Sequence, residues 1–263
     1  MRTKLFSVVL ILCSMLGMDA SAQGFKITQG GYFKNAGVDV MAFDDIYPEG
    51  HQGGVCIIMN GHRVATNGDI RLEATPGQWQ PVPKQIGREV GANSITATMM
   101  YPDSTRHLTG FNPMIYPDLN LTYKVRVEAK GNQIEVTVDL DSPIPDYLIG
   151  KAGFNLEFFP GSLFGKPWLM DDKSGIYPQQ PNSPLLELQP NHLHTGDYHD
   201  GKSSLADMEH LIDKGYSPIV ADDIIAEPYA VGRKFTSRPD DPFSKLTIES
   251  LTGDLKLYDG RMN

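Results

Sequence analysis

The chain has 263 residues, 40% of them hydrophobic, and a formal net charge of −9. That length suits one large β domain or two small ones. The acidic balance argues against nucleic acid and anionic membrane as partners, since both reward a surplus of Lys and Arg, and it leaves room for neutral ligands such as polysaccharides.

Arg2 and Lys4 form a short basic start, Leu5 to Met18 is an apolar run, and Ala20-Ser21-Ala22 supplies small residues for a peptidase. This is the pattern of a secretory signal peptide over residues 1–22, cleaved after Ala22. The run is too short for a stable bilayer span. The product is expected to be exported, to the periplasm, the cell surface or the medium. Cys13 lies inside the run, but Leu12 precedes it where lipid attachment wants a small residue. With the leader gone, Cys56 is the only cysteine, in the strand-like run Val55-Cys56-Ile57-Ile58-Met59. A lone thiol there reads as a small buried hydrophobe.

Gly54 to Met59 and Ile70 to Glu73 read as strands, with Asn60-Gly61 and Asn67-Gly68 as turn signals. Asp69 and Arg71 lie two apart, which predicts a same-face charge pair, with sugar recognition as the second reading. Ser94 to Met100 is the next strand. From 119 to 140, Leu119, Leu121, Tyr123, Val125 and Val127, then Ile134, Val136, Val138 and Leu140, alternate with polar residues across Lys130-Gly131-Asn132. Period-two alternation on both sides of a Gly-containing turn predicts an antiparallel hairpin with one buried face. Asn120-Leu121-Thr122 fits a glycosylation sequon but opens this strand, behind a bacterial-type leader. Phe154 to Phe158 is a further strand.

Residues 203–215 read as a short helix: Ser203 or Ser204 caps it, Gly215 ends it, and Leu205, Met208, Leu211 and Ile212 form one apolar stripe. Leu185 to Ala230 as a whole looks like an excursion from the β framework. Leu246–Glu249 and Leu255–Leu257 are expected to pair across Thr252-Gly253-Asp254. The chain stops just after the turn signal at Asp259-Gly260, which gives the expectation of a domain truncated at its C-terminal edge. The predicted fold is therefore all-β: an antiparallel β-sandwich over 23–263 with one short helical insertion.

Four groups of side chains could carry chemistry. Asp44, Asp45, Glu49 and His51 crowd one loop; paired carboxylates serve glycoside hydrolysis, whereas Gly50, Gly53 and Gly54 favour a turn-forming role. Trp79, Trp168, Tyr47 and Tyr177 are candidate sugar platforms, with core packing as the competing role. His192, His194 and His199, near Asp197 and Asp200, could hold zinc, although the spacing matches no established signature and a solvated loop explains it as well. His51 with Glu157 is the acid–base pair a sugar epimerase would need. No cofactor is called for.

Several segments together resemble the region ahead of the catalytic module in some bacterial family 9 glycoside hydrolases, the cellulase and endoglucanase group. They are Phe43 to Gly54, Ala65 to Leu72, Thr75-Pro76-Gly77-Gln78-Trp79, Gly153 to Glu157, and Leu257-Tyr258-Asp259-Gly260-Arg261. The resemblance implies a non-catalytic N-terminal module of a secreted hydrolase of β-glucan-type plant polysaccharide. It would pack on downstream immunoglobulin-like and helical catalytic modules of the same polypeptide and could also bind glycan. It supplies no catalytic residue here, because no segment matches the catalytic motifs. A weaker likeness, at fold level, is to the large sandwich of galactose-mutarotase-like domains. A self-contained mutarotase-like epimerase and a surface glycan-binding protein are the alternatives.

Overall fold

Alternating apolar residues and Gly- or Asn-centred turns make strand the dominant regular structure of the described residues. The computed structural model describes residues 4–11, 24–44, 53–72, 83–101, 121–146, 149, 152–179 and 228–260. In chain order these form β1 (Lys4–Ile11), β2 (Lys26–Ile27), β3 (Phe33–Asn35), β4 (Val38–Ala42), β5 (Val55–Met59), β6 (His62–Leu72), β7 (Lys84–Val90) and β8 (Ser94–Tyr101). There follow β9 (Leu121–Lys130), β10 (Gln133–Leu140), β11 (Ala152–Phe158), the helical turn α1 (Pro160–Leu163), β12 (Pro167–Met170) and β13 (Lys173–Ile176). The last are β14 (Ala230–Gly232), β15 (Lys234–Ser237), β16 (Leu246–Ser250) and β17 (Leu255–Leu257).

A nine-stranded sheet runs β13-β12-β15-β16-β1-β10-β9-β8-β7, and a six-stranded sheet runs β11-β6-β5-β4-β3-β2. The predicted hairpin is the β9–β10 ladder of the nine-stranded sheet, turning at Gly131 with φ +63°, where glycine avoids the strain of a side chain. Tyr123, Val125, Val127, Ile134, Val136 and Val138 are buried on its inner face, and Ile95, Ala97 and Met99 of β8 continue the same layer. Phe33, Val40, Ala42, Val55, Ile57 and Ala65 of the smaller sheet complete the core. This is an antiparallel β-sandwich, as the alternation predicts. Cys56 is buried within it.

Directional contacts pin the sheets together at separate places. Tyr123 of β9 reaches Asp69 of β6, and Phe158 of β11 meets Phe235 of β15 edge to face at 5.8 Å. At the β7 edge, the Arg88 guanidinium donates to the carbonyls of Ala42 (2.9 Å) and Gly31 (2.6 Å) and lies 4.0 Å from Asp44.

Two local expectations are corrected. Leu246–Ser250 and Leu255–Leu257 do not pair with each other: β16 lies between β15 and β1, and β17 pairs with β14 in a separate two-stranded sheet. Both edges of β16 are already occupied, so a hairpin partner has no free ladder to join. Asn67-Gly68 is not a turn either, because β6 continues through it. Asn60-Gly61 is a true turn, with φ of +51° and +80° between β5 and β6. The predicted helix at 203–215 lies outside the described residues. The apolar run read as a leader contributes β1, in the middle of the larger sheet.

Candidate functional site

The most chemically loaded part of the described sandwich grows from the Asn67-Gly68 irregularity. Val55 pairs with Gly68 and Ile57 with Ala65, so β6 carries one residue more than β5 over this stretch. Such a bulge shifts the side-chain alternation. Asn67 takes the left-handed conformation, φ +54°, and Gly68 packs so closely that an added Cβ would fall 2.6 Å from Cβ of Val55.

Beyond the bulge, Asp69 enters the space between the sheets and is buried. Its Oδ1 accepts from the Tyr123 hydroxyl and from the Ile70 amide, both at 2.8 Å. Burial raises the Asp69 carboxyl to about pKa 7, outweighing these two hydrogen bonds and the nearby Arg71 charge, which pull it down. Burial, then the adjacent Asp69, pushes the Tyr123 phenol well above its ordinary range. Asp69 is therefore a carboxyl poised to hold a proton near neutrality, sealed from solvent.

Glu157 of β11 lies beside this pair, nearer the surface. Its Oε2 accepts from the Asn67 amide at 2.6 Å and its Oε1 meets the Arg71 guanidinium at 2.7 Å. The expected Asp69–Arg71 pair is thus replaced by Arg71–Glu157 as the ion pair, because β11 lies against β6 and brings a carboxylate within reach. Glu157→Ala should cost only about 0.5–1.5 kcal/mol, since the pair is partly solvent-screened. Glu157→Gln, which keeps an acceptor for Asn67, should cost less. Urea midpoints of the three proteins check this ordering.

Trp168 is buried against Gly175, where an added Cβ would lie 2.3 Å from the indole. Tyr177 is partly buried and donates to the Ser237 hydroxyl at 3.0 Å, with burial raising its phenol to about 12. Both occupy packing positions, the competing role named for them above. Asp44 lies beside Arg88. Asp45, Tyr47, Glu49, His51, Trp79, His192, His194 and His199 lie outside the described residues.

One surface feature had no signal in the sequence reading. Lys166, Pro167, Arg238, Asp240, Asp241 and Pro242 line an open depression of about 340 Å³. Asp241 shapes its loop by accepting from the Phe243 amide and the Ser244 hydroxyl, and those bonds hold its carboxyl below the usual range. Phe243, next in the chain after Pro242, is 61% exposed, while Asn60 donates to its carbonyl at 2.7 Å. Residues from two separate strand ends build the depression, so only folding collects them. Searches against protein-family models, curated proteins and solved structures found no match for this chain.

Proposed function

We propose that this chain is a non-catalytic β-sandwich module of an exported polysaccharide hydrolase of the β-glucan class, packing on downstream modules and contacting glycan. The observation that carries this reading is how the described carboxylates of the β6–β11 site are engaged. Asp69 is sealed between the sheets, and Glu157 is held through both oxygens by Asn67 and Arg71. Neither is free to act as the mobile acid or base of glycoside hydrolysis. The depression lined by Arg238, Asp240 and Asp241 supplies hydrogen-bonding groups, and Phe243, 61% exposed, follows its lining residue Pro242 in the chain, a combination suited to a sugar's hydroxyls and apolar face. Exposed Phe164 and Ile176, at the β12–β13 end of the larger sheet, offer apolar surface for a neighbouring module.

The purified chain is expected to bind soluble β-glucan without turning it over, and Phe243→Ala should weaken that binding about two- to tenfold, the worth of one stacking contact. Calorimetric titration together with a reducing-sugar assay checks both. Hydrolysis lost on Glu49→Gln or Asp45→Asn would overturn the proposal. Rapid interconversion of glucose anomers, abolished by His51→Ala, would put the epimerase reading in its place.

A further inference from the structure

The strand at the centre of the larger sheet is the segment that the export reading removes. β1 runs antiparallel to both neighbours, with Phe6, Val8 and Leu10 in register with Val138, Val136 and Ile134 of β10, and Val8 and Leu10 with Ser250 and Ile248 of β16. Those β10 residues are at most 1% exposed, and Ile248 is 6% exposed. Cleavage after Ala22 would strip one hydrogen-bonding ladder from β10 and another from β16, opening a gap in the apolar layer they belong to. Bare strand edges over an apolar floor are templates for pairing with another chain.

The halves of the sheet are not free to close the gap. With β1 removed, β10 and β16 are parallel strands two strand spacings apart, roughly 10 Å. The β9–β10 half is fixed to the opposite sheet through Tyr123–Asp69 at 2.8 Å, and the β15–β16 half through the Phe158–Phe235 ring contact at 5.8 Å. Joining β10 to β16 would break one of these anchors or shear the core beneath it. Every other described strand of this chain already has its own partner, so a second copy has no spare described strand to lend.

Resting on the export reading, we infer that the mature protein carries an open strand slot between β10 and β16, filled in trans by an extended segment of another exported polypeptide. The leader shows what fits: about eight residues, antiparallel to both walls, apolar at alternate positions and free of charge there. Main-chain hydrogen bonds to both walls supply affinity, and the alternate side chains supply register.

The test uses the full chain exported from a bacterial host, its N-terminus fixed by intact mass, and a fluorescent peptide carrying the Lys4–Ile11 sequence behind a solubilising tag. The mature form is expected to bind this peptide saturably. A peptide with Val8→Asp and Leu10→Asp should bind at least tenfold more weakly. Hydrogen exchange should show the β10 and β16 amides that face the slot unprotected in the mature protein and protected on binding, while those bonded to β9 and β15 stay protected throughout. Slow exchange of the slot-facing amides of both strands without peptide, together with no binding, would mean that the chain closes its own sheet, and would overturn the inference. A mass retaining residues 1–22 would overturn it by a separate route, through failure of the export reading.

Discussion

Replacing Asp69 with Asn should remove a fall in stability that the unaltered protein shows between about pH 4 and pH 7. Asp69 has a folded pKa of about 7 against an ordinary 3.8, and burial between the sheets is the main cause. Across that window the folded chain holds a proton that the unfolded chain has released. Raising the pH therefore favours the unfolded state. The contribution of this group is complete below about pH 4, fades as pH climbs, and levels off above about 7. At 1.36 kcal/mol per pH unit the full effect is on the order of 4 kcal/mol, a large part of a typical domain's stability. Asn keeps an oxygen for the Tyr123 hydroxyl and the Ile70 amide but carries no titrating proton, so its profile should be flatter by that amount. Urea unfolding of both proteins from pH 4 to 8 measures the difference. Superimposable profiles would show that Asp69 is solvated and ordinary in the folded protein.

Trp168→Ala should destabilise the protein by about 3–5 kcal/mol, the usual cost of emptying a large buried aromatic site. The indole is 7% exposed, and β12 holds it between Gly175 of β13 and Ser237 of β15. Gly175 leaves no room for the ring to shift, since even a methyl group there would overlap it. Glycan affinity, measured at a temperature where the variant is folded, should not change. The reverse result, normal stability with lost affinity, would make Trp168 a sugar platform after all. Because Phe243 lies on a surface loop, Phe243→Ala should show the opposite pattern, so the two variants separate packing from binding.

Much of the framework was legible because strand formation with one buried face writes a local signature. Leu121 to Leu140 alternates so regularly around Gly131 that β9, β10, their turn and their inner face follow from spacing alone. Cys56 and its neighbours read correctly for a similar reason: an unbroken apolar run of strand length has no solvated face. Asn-Gly was a weaker guide, since positive φ serves a hairpin turn at Asn60 and a bulge at Asn67, and the dipeptide is the same in both. The candidate site was half visible. Asp69 was read as the charge partner of Arg71 and Glu157 as an acid–base partner for His51, but Tyr123 read only as one more member of an apolar series.

The sequence by itself determined the all-β class and the buried faces of its most regular strands, because alternation is set by residues two apart. Strands such as Phe33–Asn35, Lys84–Val90 and Pro167–Met170 gave no such signal. Only the tertiary structure decided which strands meet. Tyr123 and Asp69 are 54 residues apart, and no local pattern says that a bulge will turn that carboxyl towards that phenol. Likewise Leu246–Ser250 reads as a strand anywhere, yet its neighbours, β15 and β1, are distant segments that only the folded pairing identifies. The same holds for Lys4 to Ile11, whose apolar residues serve as well for a leader as for a strand. Its place between β10 and β16 comes from pairing register, which is a property of pairs of distant segments and not of either segment alone.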